Sequence, residues 1–237
     1  GWLPVGEAVE AGGMGAESAA SGSHEGPSGL VRVGATEGFG TLILAPHLAQ
    51  LTRKHPHLSI DLLALPRMLH LSRREADIVI SLERPTRGSV IVSRLSDYSL
   101  YLYGQREYLA RKPLVATRED LRHHAFVSYV DDLLFTKELQ FLDALHQPER
   151  FAFRSTSITA QYEAVRAGAG LAALPAVLAD RDPVITRVLP QEGQFTRTFW
   201  MSMPSESKHL ARMQVTWAFL RESAAAQQEL LKPKAVR

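Results

Sequence analysis

Apolar and polar positions follow two rhythms along the first part of this chain. Residues 30–35, "LVRVGA", form a short apolar run released by the turn Pro27-Ser28-Gly29, which predicts a strand. Across 38–55 the apolar residues Leu44, Leu48 and Leu51 recur at helical spacing, with a second row at Ile43 and Ala45, so this helix is apolar on more than one face. It ends at His55-Pro56, because a proline ring disfavours the α conformation in the residue before it. "LSIDLLAL" follows as a second strand. Strand, helix, strand with short joins predicts a parallel pair with a right-handed crossover.

The alternation continues to the other end. Residues 68–75 form a short helix candidate, "ADIVISL" a buried strand, and "VIVSRL" and "YSLYLYG" two further extended runs. After the strand "HAFVSYV" come a helix near 135–146, the strand "RFAFRS", a helix over 158–167, the run "GLAALP", a helix at 176–180 and the strand "VITRVL". "TFWMSM" is the last strand. The final helix, 208–230, carries Leu210, Met213, Trp217 and Leu220 at helical spacing. Helices alternating with strands in this way predict the α/β class.

With 237 residues, 45% hydrophobic and 22% charged, the chain has material for one large domain or two small ones. Lys+Arg 27 against Asp+Glu 25 leaves a net charge of +2, without the dense basic block that would make nucleic-acid binding by this stretch alone credible. Zero cysteines exclude disulfides, cysteine nucleophiles and thiolate metal sites, which is compatible with a reducing cytoplasm. No apolar stretch reaches the roughly 18 residues of a spanning helix. The opening "GWLPVGEAVEAGG" lacks a basic start and a continuous apolar segment, so neither secretion nor membrane insertion is expected. Residues 11–29, rich in Gly, Ser and Ala, cannot repay their own ordering entropy as a globular unit and read as linker.

Candidate chemistry is sparse. Nine histidines show no convergent set: His55 and His57 straddle a helix end, His123 and His124 are adjacent, and the rest are scattered, so no metal site and no cofactor is expected. Ser205-Glu206-Ser207-Lys208 matches S-x-x-K formally, but the companion motifs S-D-N and K-T-G are missing, and Ser205 or Ser207 as a helix N-cap explains it better. No G-x-S-x-G elbow is present, and Asp131-Asp132 lies in a strand-to-helix turn where carboxylates commonly cap. Arg73–Asp77 reads as a solvated helix end, and Tyr98, Tyr101 and Tyr103 as packing between subdomains rather than a base-stacking platform. A binder is expected, not an enzyme.

The stretch "GATEGFG", Gly34 to Gly40, joins the first strand to the first helix, the layout in which backbone N–H groups collect an anion. Its spacing, G-x-x-x-G-x-G, fits neither the dinucleotide fingerprint nor the phosphate loop, and Glu37 in the turn would repel a phosphate while being favoured by the helix N-terminus. Some other partner must meet this turn, or none does.

Four stretches, "LVRVGATEGFGTLILAPHLAQLTRKHPHLSIDLLAL", "SRREADIVISLERP", "YLYGQREYL" and "YEAVRAGAGLAALPAVLAD", fall in register with one family: over about 30–225 the chain resembles the effector-binding domain of LysR-type transcriptional regulators. "LPVGEAV" at 3–9 looks like the end of the family's winged helix-turn-helix passing into its linker helix. The resemblance implies two Rossmann-like subdomains joined by two hinge strands, similar to periplasmic binding proteins, with a small effector in the cleft between them. Subdomain I would comprise 30–97 plus 198–230 and subdomain II 98–197, with 1–29 as linker remnant, 231–237 as tail, and "YSLYLYG" and "RTFWMSM" as hinges. Ligands of such sheets sit where strand C-termini and helix N-termini converge.

In the resembling family the glycine turn touches the effector through backbone N–H groups and a hydroxyl, which singles out Thr36 with Glu37, Gly38 and Phe39 beside it. The same placement selects Leu82 and Arg84 after "DIVIS", Asp131 and Phe135 after "FVSYV", and Ser155, Ser157 and Thr159 where "FRSTSIT" opens a helix. Plainer roles stay open: Thr36 and Ser155 as caps, Phe135 as core, Arg84 solvated. Related regulators with "READIAIR" carry an arginine where this chain has Ser81, and Glu37 with Asp131 would place negative charge on both cleft walls, which disfavours small dianions. The resemblance further implies a cytoplasmic homodimer or homotetramer paired through the helix 38–55, and contact with DNA only through an N-terminal domain. A solute-binding protein of a transport system shares the fold and is the alternative.

Overall fold

The computed structural model describes residues 26–234. The segment 3–9 and the linker up to residue 25 lie outside the described residues, as do 235–237. Strand β1 (Gly29–Ala35) pairs in parallel with β2 (Leu58–Ala64) over its whole length and with β3 (Ile78–Ser81) at Val33 and Gly34, as the strand–helix–strand pattern predicts. Between β1 and β2 the chain is helical over 37–54, here α1, with Ile43, Leu44, Leu48 and Leu51 all buried against the sheet. The apolar residues of α1 are thus absorbed by its own core. Its outer face is small and polar: Thr41, Ala45, Pro46, Ala49 and Gln50.

Two long antiparallel strands carry the chain between lobes. The runs "VIVSRL" and "YSLYLYG" are one strand, β4 (Val90–Gln105), which pairs with β9 (Gln194–Pro204) and shifts register between Arg94 and Ser96. The sheet order is β2-β1-β3-β9-β4-β7, with β7 (Ala172–Pro175) and β8 (Ile185–Val188) both antiparallel to β4, so one curled sheet runs through both lobes. In the second lobe β5 (Phe126–Ser128) and β6 (Phe151–Arg154) form a separate parallel pair, covered by α3 (Ile158–Arg166); the short helices α2 (Arg106–Ala110) and α4 (Ala176–Ala179) follow β4 and β7. Helix α5 (Ala211–Ala226) closes back on β1, and the turn α6 (Gln228–Leu231) buries Leu231.

Three expected helices differ. Residues 135–146 are not a helix but short 3₁₀ turns, Lys137–Leu139 and Leu142–Ala144, joined by extended residues. Phe141 belongs to the core of the first lobe and the crossing strands, whereas Leu142 and Leu145 belong to the core of the second. Side chains on one helical stripe share a face, so a single helix cannot serve these two cores at once. At 68–75 only Leu71–Arg73 turns; Arg74 is left-handed, with φ 54°, and Glu75 accepts the His70 N–H at 3.1 Å. That carboxylate is held low chiefly by the His70 N–H, so Arg73–Asp77 is a structured corner rather than a solvated helix end. The last helix begins at Ala211 and breaks at Gln227; Leu210 occupies its N-cap position, so neither Ser205 nor Ser207 caps it.

Candidate functional site

The glycine stretch is explained by packing. A Cβ on Gly40 would stand 2.8 Å from Ala64 Cβ, and one on Gly38 would stand 3.2 Å from Ile158 Cγ2. Glycines at these positions let the start of α1 lie close to β2 on one side and to α3 of the other lobe on the other. Thr36 stands at the N-cap position of α1, yet its side chain makes no capping hydrogen bond. Its hydroxyl is left to the cavity that opens beside it.

That cavity lies between the lobes and opens to solvent, with about 610 Å³ of empty space when the open part is counted. The start of α1 contributes Thr36, Glu37, Gly38 and Phe39, and the end of β3 contributes Leu82. The crossing strands supply its floor, Tyr98, Leu100 and Phe199, whose rings pack in series: Phe39 to Phe199 at 4.2 Å and Tyr98 to Phe199 at 4.3 Å between centroids. From the second lobe come Tyr129 after β5, Phe135, Leu139 and Phe141 from the 3₁₀ stretch, and Thr156 and Ile158 at the start of α3. Strand ends and a helix start meet here, as expected for such sheets.

Glu37 spans the cleft. Its Oε1 accepts the Ser157 hydroxyl at 2.7 Å and the Thr159 N–H at 3.1 Å, while Ser157 Oγ also accepts the Ala160 N–H and so caps α3. In the adjoining smaller cavity the Thr136 hydroxyl donates to the Glu83 carboxylate, a second bridge between lobes. Arg197 of β9 fixes the 3₁₀ stretch: its Nε donates to the Glu138 carbonyl at 2.6 Å, and its guanidinium lies 4.9 Å from the Phe141 ring centre. The Tyr98 and Tyr129 phenols are both pushed far up by burial, so both stay protonated.

Of the residues expected at the site, Thr36, Glu37, Gly38, Phe39, Leu82 and Phe135 line one cavity. Ser157 and Thr159 sit at its edge, engaged with Glu37, and Ser155 Oγ accepts the Ser157 N–H at 3.1 Å. Arg84 is exposed, with its guanidinium 5.4 Å from the Trp200 ring centre, and Asp131 is exposed in the turn Asp131–Leu133, away from the lining. The expected negative wall opposite Glu37 is therefore not built by Asp131. Tyr98, Leu100, Tyr129 and Phe199 lie outside the set that the sequence points to; the aromatic residues Tyr98 and Phe199 of the crossing strands are the signal visible in it. Tyr101 and Tyr103 point to the opposite face of β4, where the Tyr103 hydroxyl donates to Asp180. Among the described residues no group of three or more His, Asp or Glu side chains could hold a metal ion, and no helix is long and apolar enough to cross a membrane.

The profile of the LysR substrate binding domain matches residues 24–225, and the chain belongs to that family. The regulatory domain of CrgA, a LysR-type transcriptional regulator from Neisseria meningitidis, superposes with a TM-score of 0.72 at 20% identity, covering 84% of this chain and 100% of that one. By sequence, the HTH-type transcriptional activator TtdR of Escherichia coli K12 is 28% identical over 47% of this chain and 34% of its own length. An uncharacterized HTH-type transcriptional regulator of Haemophilus influenzae is 24% identical over 60% and 50%. The chain thus spans between a third and a half of the length of these two relatives. The fold is the two-subdomain, periplasmic-binding-protein-like one of these regulatory domains.

Proposed function

We propose that this chain is the ligand-sensing part of a LysR-type regulator, and that occupancy of the cleft by a small effector changes DNA binding and transcription by the full-length protein. The observation that carries this is the cavity itself, built from both lobes and both crossing strands, with the uncapped Thr36 hydroxyl at its rim. A ligand touching both lobes stabilises one interlobe arrangement over another by its differential affinity for the two. Relatives named as HTH-type regulators favour this reading over a transport solute-binding protein.

In this reading the lobes divide at 30–97 plus 198–230 and 98–197, the protein acts in the cytoplasm as a homodimer or homotetramer, and DNA is met through an N-terminal domain. Small-molecule fractions of the host cell that raise the melting temperature of the wild-type chain should fail to do so for Leu82→Trp, which pushes an indole into the cavity from its wall. Equal stabilisation of both proteins would place the ligand elsewhere and reject the cleft as the sensing site.

A further inference from the structure

The cleft has an anion position, and the chain fills it with its own carboxylate. The N-terminus of α3, a nine-residue helix, offers its first-turn donors toward the cavity, and Glu37 Oε1 already accepts both the Ser157 hydroxyl and the Thr159 N–H. A negative group at that place is favoured by the helix dipole, and Glu37 supplies it from the opposite lobe. No lysine, arginine or histidine lines the cavity. Arg67, in the adjoining smaller cavity behind Thr36, Leu82 and Phe135, is paired with Glu75 at 3.2 Å. A ligand carboxylate entering here would lose its water beside Glu37 and gain no cation, which is a net cost.

The remaining polar groups are the hydroxyls of Thr36, Thr156, Tyr98 and Tyr129, of which the two phenols stand among the aromatic walls. Tyr98 is 5% exposed and Tyr129 half-buried, both line the cavity, and neither phenol oxygen makes a hydrogen bond among the described residues. Around them the walls are aromatic and aliphatic. The phenol oxygens are open to the cavity rather than sealed from solvent, so each is free to donate to what enters, and a ligand able to accept from them gains over one that cannot.

We propose that the cleft takes an uncharged, mainly apolar small molecule bearing a hydrogen-bond acceptor, held by the phenols of Tyr98 and Tyr129, while Glu37 occupies the anion position and excludes carboxylates. This rests on the cleft being the effector site, and it adds the chemical class. It also assigns Glu37 a second role, as the latch that joins α1 to α3 across the cleft.

The test uses three matched probes, acetophenone, benzoate and benzylammonium, added to the isotopically labelled chain at up to about 10 mM, a range in which weak binding registers. Acetophenone should shift the amide signals of Thr36, Tyr129 and Ile158 and bind about tenfold more tightly than either charged probe. Tyr129→Phe, which removes an unpartnered hydroxyl and should fold normally, should weaken acetophenone several-fold. Glu37→Gln should strengthen benzoate relative to acetophenone by about tenfold through loss of like-charge repulsion. If benzoate binds the wild-type cleft as well as acetophenone does, or Glu37→Gln leaves benzoate unchanged relative to acetophenone, the chemical class is wrong and the cleft reading stands. If no probe shifts any cleft amide, the cleft reading fails and takes this proposal with it.

Discussion

Asp182 ties two segments of the second lobe through its two carboxylate oxygens. Oδ2 accepts the Tyr162 hydroxyl and, at 2.6 Å, Arg166 Nε, while Oδ1 accepts the Val184 N–H at 2.9 Å, so the end of α3 is joined to the entry of β8. The hydrogen bond from Tyr162 is the largest influence holding its carboxyl low, and burial pushes the Tyr162 phenol up to about 12, which keeps it a donor. A carboxylate whose folded pKa is depressed adds stability above its unfolded pKa and loses it as pH falls through the folded one. Asp182→Asn is therefore expected to cost roughly 1 kcal/mol at pH 7, the low end because Arg166 is partly exposed, with the gap closing below about pH 4. Urea unfolding of both proteins at neutral and acid pH measures this. A gap that persists undiminished at pH 3 would mean the ionised carboxylate is not what stabilises this joint.

Helix α1 owes its shape to Pro46, His47 and Gly40. Pro46 has no N–H and its ring crowds the carbonyl one turn back, and the helix answers with a widened π-type turn over Gly40–Leu44 just before it. His47 Nδ1 donates to the Ile43 carbonyl at 2.6 Å. Gly40, at the start of the wide turn, sits against Ala64, whose Cβ has no rotamer by which to retreat. Gly40→Ala gains up to about 1 kcal/mol in helix propensity but must push α1 off β2, and overpacking of this kind costs about 1–3 kcal/mol. Net destabilisation is expected, seen as a lowered melting temperature. Because Phe39 and Thr36 ride on the same helix start, the cavity should change shape with it. A Gly40→Ala protein as stable as the wild type would show that the contact with Ala64 relaxes freely.

At the scale of the whole molecule, the lobes share β4 and β9 and are pinned by two carboxylate bridges, Glu37 to α3 and Glu83 to Thr136. The outer edge of the sheet at β2 is unpaired among the described residues, and the exposed strip Ala45, Pro46 and Ala49 of α1 runs in the helix packed beside it. An open strand edge next to a smooth, small-residue helix face is a surface that a second copy can cover. Sedimentation at tens of micromolar, a range matched to ordinary association strengths, should show more than a monomer, and Ala49→Glu should return it to one. A wild-type chain that stays monomeric there removes α1 as the pairing surface.

Periodicity and turn chemistry were enough to determine the α/β class, the parallel start and the extent of α3, because these depend on neighbours a few residues apart. The long-range outcomes were not legible. Whether 135–146 would be a helix depended on Phe141 and Leu142 entering different cores. That the two extended runs are one strand depended on β9 lying alongside both. Site residues divide differently: the family resemblance together with their places at strand ends points to the loop residues Thr36 to Phe39, Leu82 and Phe135, whereas Tyr98, Leu100 and Phe199 enter the cavity only because β4 and β9 cross beneath it. The charge at Glu37 was plain in the sequence. Its meaning was not, since a carboxylate repels an anion or replaces one according to what faces it, and only the tertiary structure sets Ser157 and Thr159 opposite it.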